Sequence, residues 1–162
     1  MRSATPAFDL DLLRRYDRPG PRYTSYPTAP QFQSGFGEGA LREAAAASNG
    51  DPIPRRLSLY VHVPFCTSPC FYCGCNRIIT RDKARGETYL ARLYREIALM
   101  AELFDRDREV IQLHFGGGTP NFLTPEQLRD VVDSLRRHFH FSESRERDIS
   151  IELDPRFVNA QD

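Results

Sequence analysis

Tryptophan is absent from the 162 residues, methionine occurs twice, and lysine occurs once, at Lys83. Positive charge therefore rests on arginine, a choice from which no function follows. Neither sign of charge is in excess, with 22 basic residues against 22 acidic ones. Such a chain has no field to gather nucleic acid or an anionic membrane surface. No apolar run approaches the ~18 residues that a membrane span needs. Residues 1–30 lack the apolar stretch of a secretory signal and carry Arg14, Arg15, Arg18 and Arg22. A reducing, cytoplasmic location is the expectation. Internal repeats are missing too, and so is cysteine, except in one place.

All four cysteines, Cys66, Cys70, Cys73 and Cys75, fall within ten residues. A disulfide framework explains them poorly, because loops this short remove little entropy from the unfolded chain. Soft thiolates in one cluster select iron–sulfur, zinc or copper(I). Structural zinc sites usually use two separated ligand pairs, and no second pair exists here. Three thiolates on one loop suit a cubane cluster and leave one iron without a protein ligand. A structural zinc loop is the alternative.

Around this loop the chain alternates strand, loop and helix. Residues 1–56 read as a Pro- and Gly-punctuated arm with short helices near Phe8–Tyr16 and Leu41–Ala47, ending in the linker Asn49-Gly-Asp-Pro52. In residues 57–63, Leu57, Leu59, Val61 and Val63 share one face; Ser58, Tyr60 and His62 share the other. Glu87–Phe104 carries a helical stripe of Leu90, Leu93, Ile97, Met100 and Phe104. Val110–Phe115 alternates again. Thr124-Pro-Glu-Gln127 opens a helix with an N-cap threonine, proline at the first position and a glutamine able to close a capping box. Ile149–Asp154 is a third strand, with Ser150, Glu152 and Asp154 on its polar face.

This order predicts an α/β fold with a parallel sheet. Strands buried on both faces normally read as continuous apolar runs. These have one polar face each, which suits a barrel or half-barrel enclosing a polar ligand, with Tyr60, His62, Gln112, His114, Glu152 and Asp154 pointing inward. Residues 57–162 would be the first part of such a barrel, stopping after the third strand with an open edge. Gly116-Gly-Gly-Thr-Pro120 follows the second strand. It is neither a dinucleotide fingerprint nor a P-loop; it is either a tight turn or backbone that comes close to a ligand.

Cys66-x3-Cys70-x-Tyr72-Cys73 resembles the cluster loop of radical S-adenosylmethionine (SAM) enzymes. The longer segment Tyr60-Val-His-Val-Pro-Phe-Cys66 through Cys75-Asn76, with Pro21-Arg-Tyr-Thr-Ser-Tyr-Pro-Thr28 and Phe115-Gly-Gly-Gly-Thr-Pro120, resembles the oxygen-independent coproporphyrinogen III oxidases. The resemblance implies a partial (β/α) barrel holding a 4Fe–4S cluster on Cys66, Cys70 and Cys73. It implies two SAM molecules, with Tyr60, Gly117 and Glu152 at the first and Tyr72, Gly118 and Thr119 at the second. The implied reaction turns two propionates of coproporphyrinogen III into vinyl groups in haem biosynthesis, with a tetrapyrrole substrate and an unidentified electron donor. Arg22 and its neighbours would close over the substrate. Cys75 would face the cavity, be a small residue beside the cluster or serve as a fourth ligand, and His62 has a structural and a catalytic reading. The rival functions are a haem chaperone of the same superfamily, which typically lacks Cys75 and the 21–28 block, and a non-catalytic zinc-binding fragment. The 162 residues alone would lack activity, because two βα units cannot enclose a tetrapyrrole.

Overall fold

The computed structural model describes residues 9–17, 31–71 and 73–159. Tyr72 and the 21–28 block lie outside the described residues. The chain divides into two units, residues 1–37 and residues 38–162. In the first, helix α1 spans Leu10–Tyr16 and starts where Asp9 accepts hydrogen bonds from the amides of Asp11 and Leu12.

The second unit begins with α2, Glu38–Asn49. Four parallel strands form its sheet: β1 (Leu57–Val63), β4 (Glu109–Gly117), β5 (His140–Phe141) and β6 (Asp148–Ile151). Strand β4 is central. It pairs along its length with β1, and on its other side with β5 at Glu109–Val110 and β6 at Gln112–Phe115. A second sheet consists of β2 (Phe65–Cys66) beside β3 (Ile78–Ile79). Helices α3 (Ala84–Ala101) and α4 (Pro125–His138) follow β3 and β4.

One sheet face is covered and the other is not. Val61, Val63, Leu113 and Phe115 pack against Leu90 and Ile97 of α3 and Val131 and Leu135 of α4. Burying each such side chain contributes about 1.5–3 kcal/mol. On the opposite face Ser58, Tyr60 and Gln112 are exposed, and His62 and His114 are half-buried. The period-two alternation of β1 and β4 is thus realised as helix side against open side. The apolar side is left uncovered at β6, where Ile149, Ile151 and Leu153 are exposed. Ile151, Leu153 and Phe157 line a cavity of about 420 Å³ with Leu123 and Leu128.

Local signals are realised closely at α4. Thr124 accepts from the Gln127 amide and Gln127 accepts from that of Thr124, completing the capping box with Pro125 at the first position. Other elements differ from expectation. Helix α3 stops at Ala101, so Phe104 lies beyond it and packs under the guanidinium of Arg108. Arg108 is buried and donates to the Arg55 carbonyl, Ser48 and Asn49, tying α2 to the approach to β4. Strand β6 ends at Ile151 rather than Asp154, because the Asp154 carboxylate turns back to accept the Arg156 amide and starts a 3-10 turn over Pro155–Phe157. Asp154 therefore does not extend the inward polar face.

Candidate functional site

The cysteine loop leaves the carboxyl end of β1, where ligand sites of parallel α/β proteins collect. Both its ends are pinned. The Ile78 amide donates to the Pro64 carbonyl at 2.7 Å and the Thr80 amide to the Cys66 carbonyl at 2.8 Å. Cys66 is buried, Cys73 half-buried, and Cys70 and Cys75 are exposed; all four are free thiols. The Cys66 sulfur accepts the Thr119 hydroxyl at 3.4 Å, and the Cys73 sulfur accepts the Cys75 amide at 3.4 Å. That amide holds the Cys73 thiol below its ordinary value, while the neighbouring Cys73 sulfur pushes the Cys75 thiol up.

Among the described residues no three His, Cys, Asp or Glu side chains converge as metal ligands. The fit to an iron–sulfur cluster is one of chemistry: free soft donors on one anchored loop, two of whose sulfurs accept hydrogen bonds, as cluster thiolates do.

The glycine segment runs beside this loop. Gly117 has φ +111°, and a Cβ there would meet His62 at 2.7 Å. The Gly118 amide donates to the Val63 carbonyl at 2.8 Å, and a Cβ on Gly118 would lie 2.7 Å from the Phe65 carbonyl oxygen. Gly118 is thus a contact of two backbones, and Gly117 a contact of backbone with an imidazole.

On the open face, Tyr60 stacks on His114 with ring centroids 5.7 Å apart, and its hydroxyl lies 3.3 Å from Nδ1 of His62. Nε2 of His62 lies 2.9 Å from the Asn76 carbonyl, which only accepts, so Nε2 carries a proton and Nδ1 is the nitrogen facing the Tyr60 hydroxyl. His62 thus bridges the strand to the far end of the cysteine loop. Its own carbonyl accepts from Tyr89, a phenol that burial pushes up to about 12. Glu152 is fixed by the Gly117 amide on Oε2 at 3.2 Å, with Nε2 of His114 at 3.6 Å from Oε1 and the other His114 nitrogen at 2.8 Å from Ser150. Burial raises the Tyr60 phenol, and the charges of Glu152 and Cys75 raise it further. Tyr60, Cys75, His114, Gly117 and Glu152 are therefore neighbours, and Thr119 sits at Cys66.

Three participants escaped the sequence reading. Tyr89 belongs to a helix whose pattern marks it only as near the core. Asn121 exchanges hydrogen bonds with the backbone of Asp154 at 3.0 Å in both directions. Arg156 reaches Ser68 from 88 residues away. No sequence period carries such long-range polar pairs.

The chain is 51% identical over 156 residues to the oxygen-independent coproporphyrinogen III oxidase of Pseudomonas aeruginosa, covering 94% of this chain and 33% of that protein. It is 46% identical over 149 residues to the protein of the same name from Mannheimia haemolytica, of which it covers 97%. The chain belongs to the oxygen-independent coproporphyrinogen III oxidases. A solved structure of the Escherichia coli coproporphyrinogen III oxidase, described as a radical SAM enzyme, matches with a TM-score of 0.74 at 43% identity, covering 94% of this chain and 32% of that one. No family model matches the chain. Members of this oxidase family are oxidoreductases, and a radical SAM enzyme implies a 4Fe–4S cluster and SAM. The chain spans about a third of the length of its Pseudomonas aeruginosa, Salmonella typhimurium and Escherichia coli relatives of that name. None of its described helices is long and apolar enough to cross a membrane.

Proposed function

We propose that this chain forms the cofactor-binding first part of a radical SAM barrel, with residues 1–56 as an arm and 57–162 carrying the first strands. In this reading Cys66, Cys70 and Cys73 hold a 4Fe–4S cluster, and the protein acts in haem biosynthesis on coproporphyrinogen III. A 4Fe–4S cluster on Cys66, Cys70 and Cys73, with SAM held by Tyr60, Gly117 and Glu152, would supply one-electron chemistry able to remove a hydrogen atom from a propionate, which would then become a vinyl group on losing carbon dioxide and passing one further electron to an acceptor. Two such events would give protoporphyrinogen IX.

The chain's own residues do the holding. Tyr60 and Gly117 line the first SAM, with Glu152 accepting from its ribose; the Gly117 amide occupies Oε2 of Glu152, and Oε1, 3.6 Å from Nε2 of His114, is the oxygen that accepts the hydroxyl. Gly118, Thr119 and Tyr72 serve a second SAM. The observation that carries this reading is the juxtaposition of an anchored free-thiol loop with the Gly117–Glu152 pair, in a chain of this family. Anaerobic loading with iron and sulfide tests it. About four irons per chain are expected, lost on substitution of Cys66, Cys70 or Cys73 by Ala and kept in Cys75→Ala. Zinc without iron or sulfide overturns it.

A further inference from the structure

Two arginines reach into the cysteine loop from opposite ends, and neither belongs to the machinery just described. Arg156 stands in the 3-10 turn after β6. Asp154 grips its guanidinium with both carboxylate oxygens, Oδ2 at 2.6 Å from one terminal nitrogen and Oδ1 at 2.9 Å from Nε. The Asn121 pairing fixes the Asp154 backbone in turn. From this held position a terminal nitrogen donates to the Ser68 hydroxyl at 3.3 Å. Ser68 lies midway between Cys66 and Cys70. At the other end Arg77 donates to the Cys75 carbonyl at 3.4 Å. Its Nε is buried and has no partner, an unsatisfied donor in a loop of thiols. Leaving such a donor unmet costs on the order of 1–3 kcal/mol, and a nearby sulfur acceptor would remove that cost.

We infer that Arg156 and Arg77 are positioning residues for the thiol loop, which hold its Ser68 and Cys75 turns and set a fixed positive charge on each side of the cluster proposed above. Three thiolates and a cluster that gains an electron make a strongly negative centre. Net charge and hydrogen bonds to sulfur set such a centre's potential. Arg77, and Arg156 to the extent that its paired Asp154 leaves it positive, favour the reduced state over the oxidised one and so ease the entry of the electron. Arginine suits the task because one fork can hold Asp154 and Ser68 together, which a lysine cannot.

The inference rests on the cluster reading, and the experiment separates the two. The 162-residue chain and its Arg156→Gln, Arg156→Lys, Arg77→Gln and Arg77→Lys variants are examined twice. Without metal, hydrogen exchange is followed over residues 66–77. After anaerobic loading, the cluster's midpoint potential is measured by a redox titration read by electron paramagnetic resonance. Exchange is expected to be several-fold faster near Ser68 in both Arg156 variants, and near Cys75 in Arg77→Gln. The midpoint potential is expected to move to more negative values in both Gln variants and to return towards the parent value in the Lys variants. Loaded Gln variants with an unchanged potential overturn the electrostatic role. If even the parent chain loads no cluster, the cluster reading fails; the holding role then stands or falls on exchange alone, and unchanged exchange overturns it.

Discussion

A Cβ on Gly117 would lie 2.7 Å from both Cε1 and Nδ1 of His62, so β4 can pass this imidazole only as glycine. Gly117 also has φ +111°, which an L side chain adopts under strain. Gly117→Ala is expected to lower stability by about 1–3 kcal/mol from the backbone alone, with the clash added. In the double variant with His62→Ala the clash disappears and the strain stays. Denaturant unfolding of the four proteins of this cycle checks it. Strictly additive costs would mean that the ring moves aside freely.

His62→Phe removes the donor to the Asn76 carbonyl and the nitrogen facing the Tyr60 hydroxyl. An aromatic ring is kept, so the sheet is expected to persist. Exchange at residues 73–77 should accelerate and stability should fall by about 1 kcal/mol. Protection of these amides equal to that of the parent chain contradicts the bridging role.

Thr124→Ala leaves the Gln127 amide unmet and opens the capping box. The expected loss is about 1 kcal/mol, measured by chemical denaturation. Thr124→Ser, which keeps the oxygen, should recover most of it.

Hydrogen bonds from Arg156 hold the Asp154 carboxyl below the usual carboxylate range. With the folded pKa depressed, the stabilisation is fully present above the unfolded value of ~3.9 and is lost as pH falls through the lower folded value. The parent chain should therefore exceed Asp154→Asn in stability near neutrality, the gap closing only in stronger acid. A gap that stays constant down to about pH 2 would assign the loss to packing rather than to charge.

Glu152→Gln is expected to weaken SAM binding to the loaded chain by about 1.5–3 kcal/mol and to leave cluster content unchanged, as read by calorimetry and iron analysis. The 162 residues by themselves should not convert coproporphyrinogen III, because the face bearing Tyr60 and Glu152 is open. Chromatography of an anaerobic assay with SAM and reductant checks this. Multiple turnovers by the isolated chain would mean that substrate enclosure is dispensable.

What the sequence carried plainly was local. The Thr124–Gln127 cap, the alternation in β1 and β4, and the thiol loop after β1 each depend on residues a few positions apart. The Phe65–Cys66 and Ile78–Ile79 strands could not be read this way, because two residues have no period; their pairing fixes the loop's ends all the same. The end of β6 was misread because the choice of Asp154 to cap a turn overrides an alternation that otherwise continues. That Glu152 shares the polar face was recognisable, but its attachment to the Gly117 amide was not, since a backbone donor leaves no trace in residue type. The Arg156–Ser68 contact joins segments that the fold alone brings together.

The chain between β1 and β4 carries both the thiol loop and α3, and β1 pairs with β4 in parallel along its whole length. Closing so long a crossover is the slow part of building such a sheet. Its gain comes from Val61, Val63, Leu113 and Phe115 meeting α3 and α4, a core to which Cys70, Cys73 and Cys75 add nothing. Scaffold and cargo are thus separable in time. A cluster held by these thiols would therefore be gained or lost without changing the core that supports the loop.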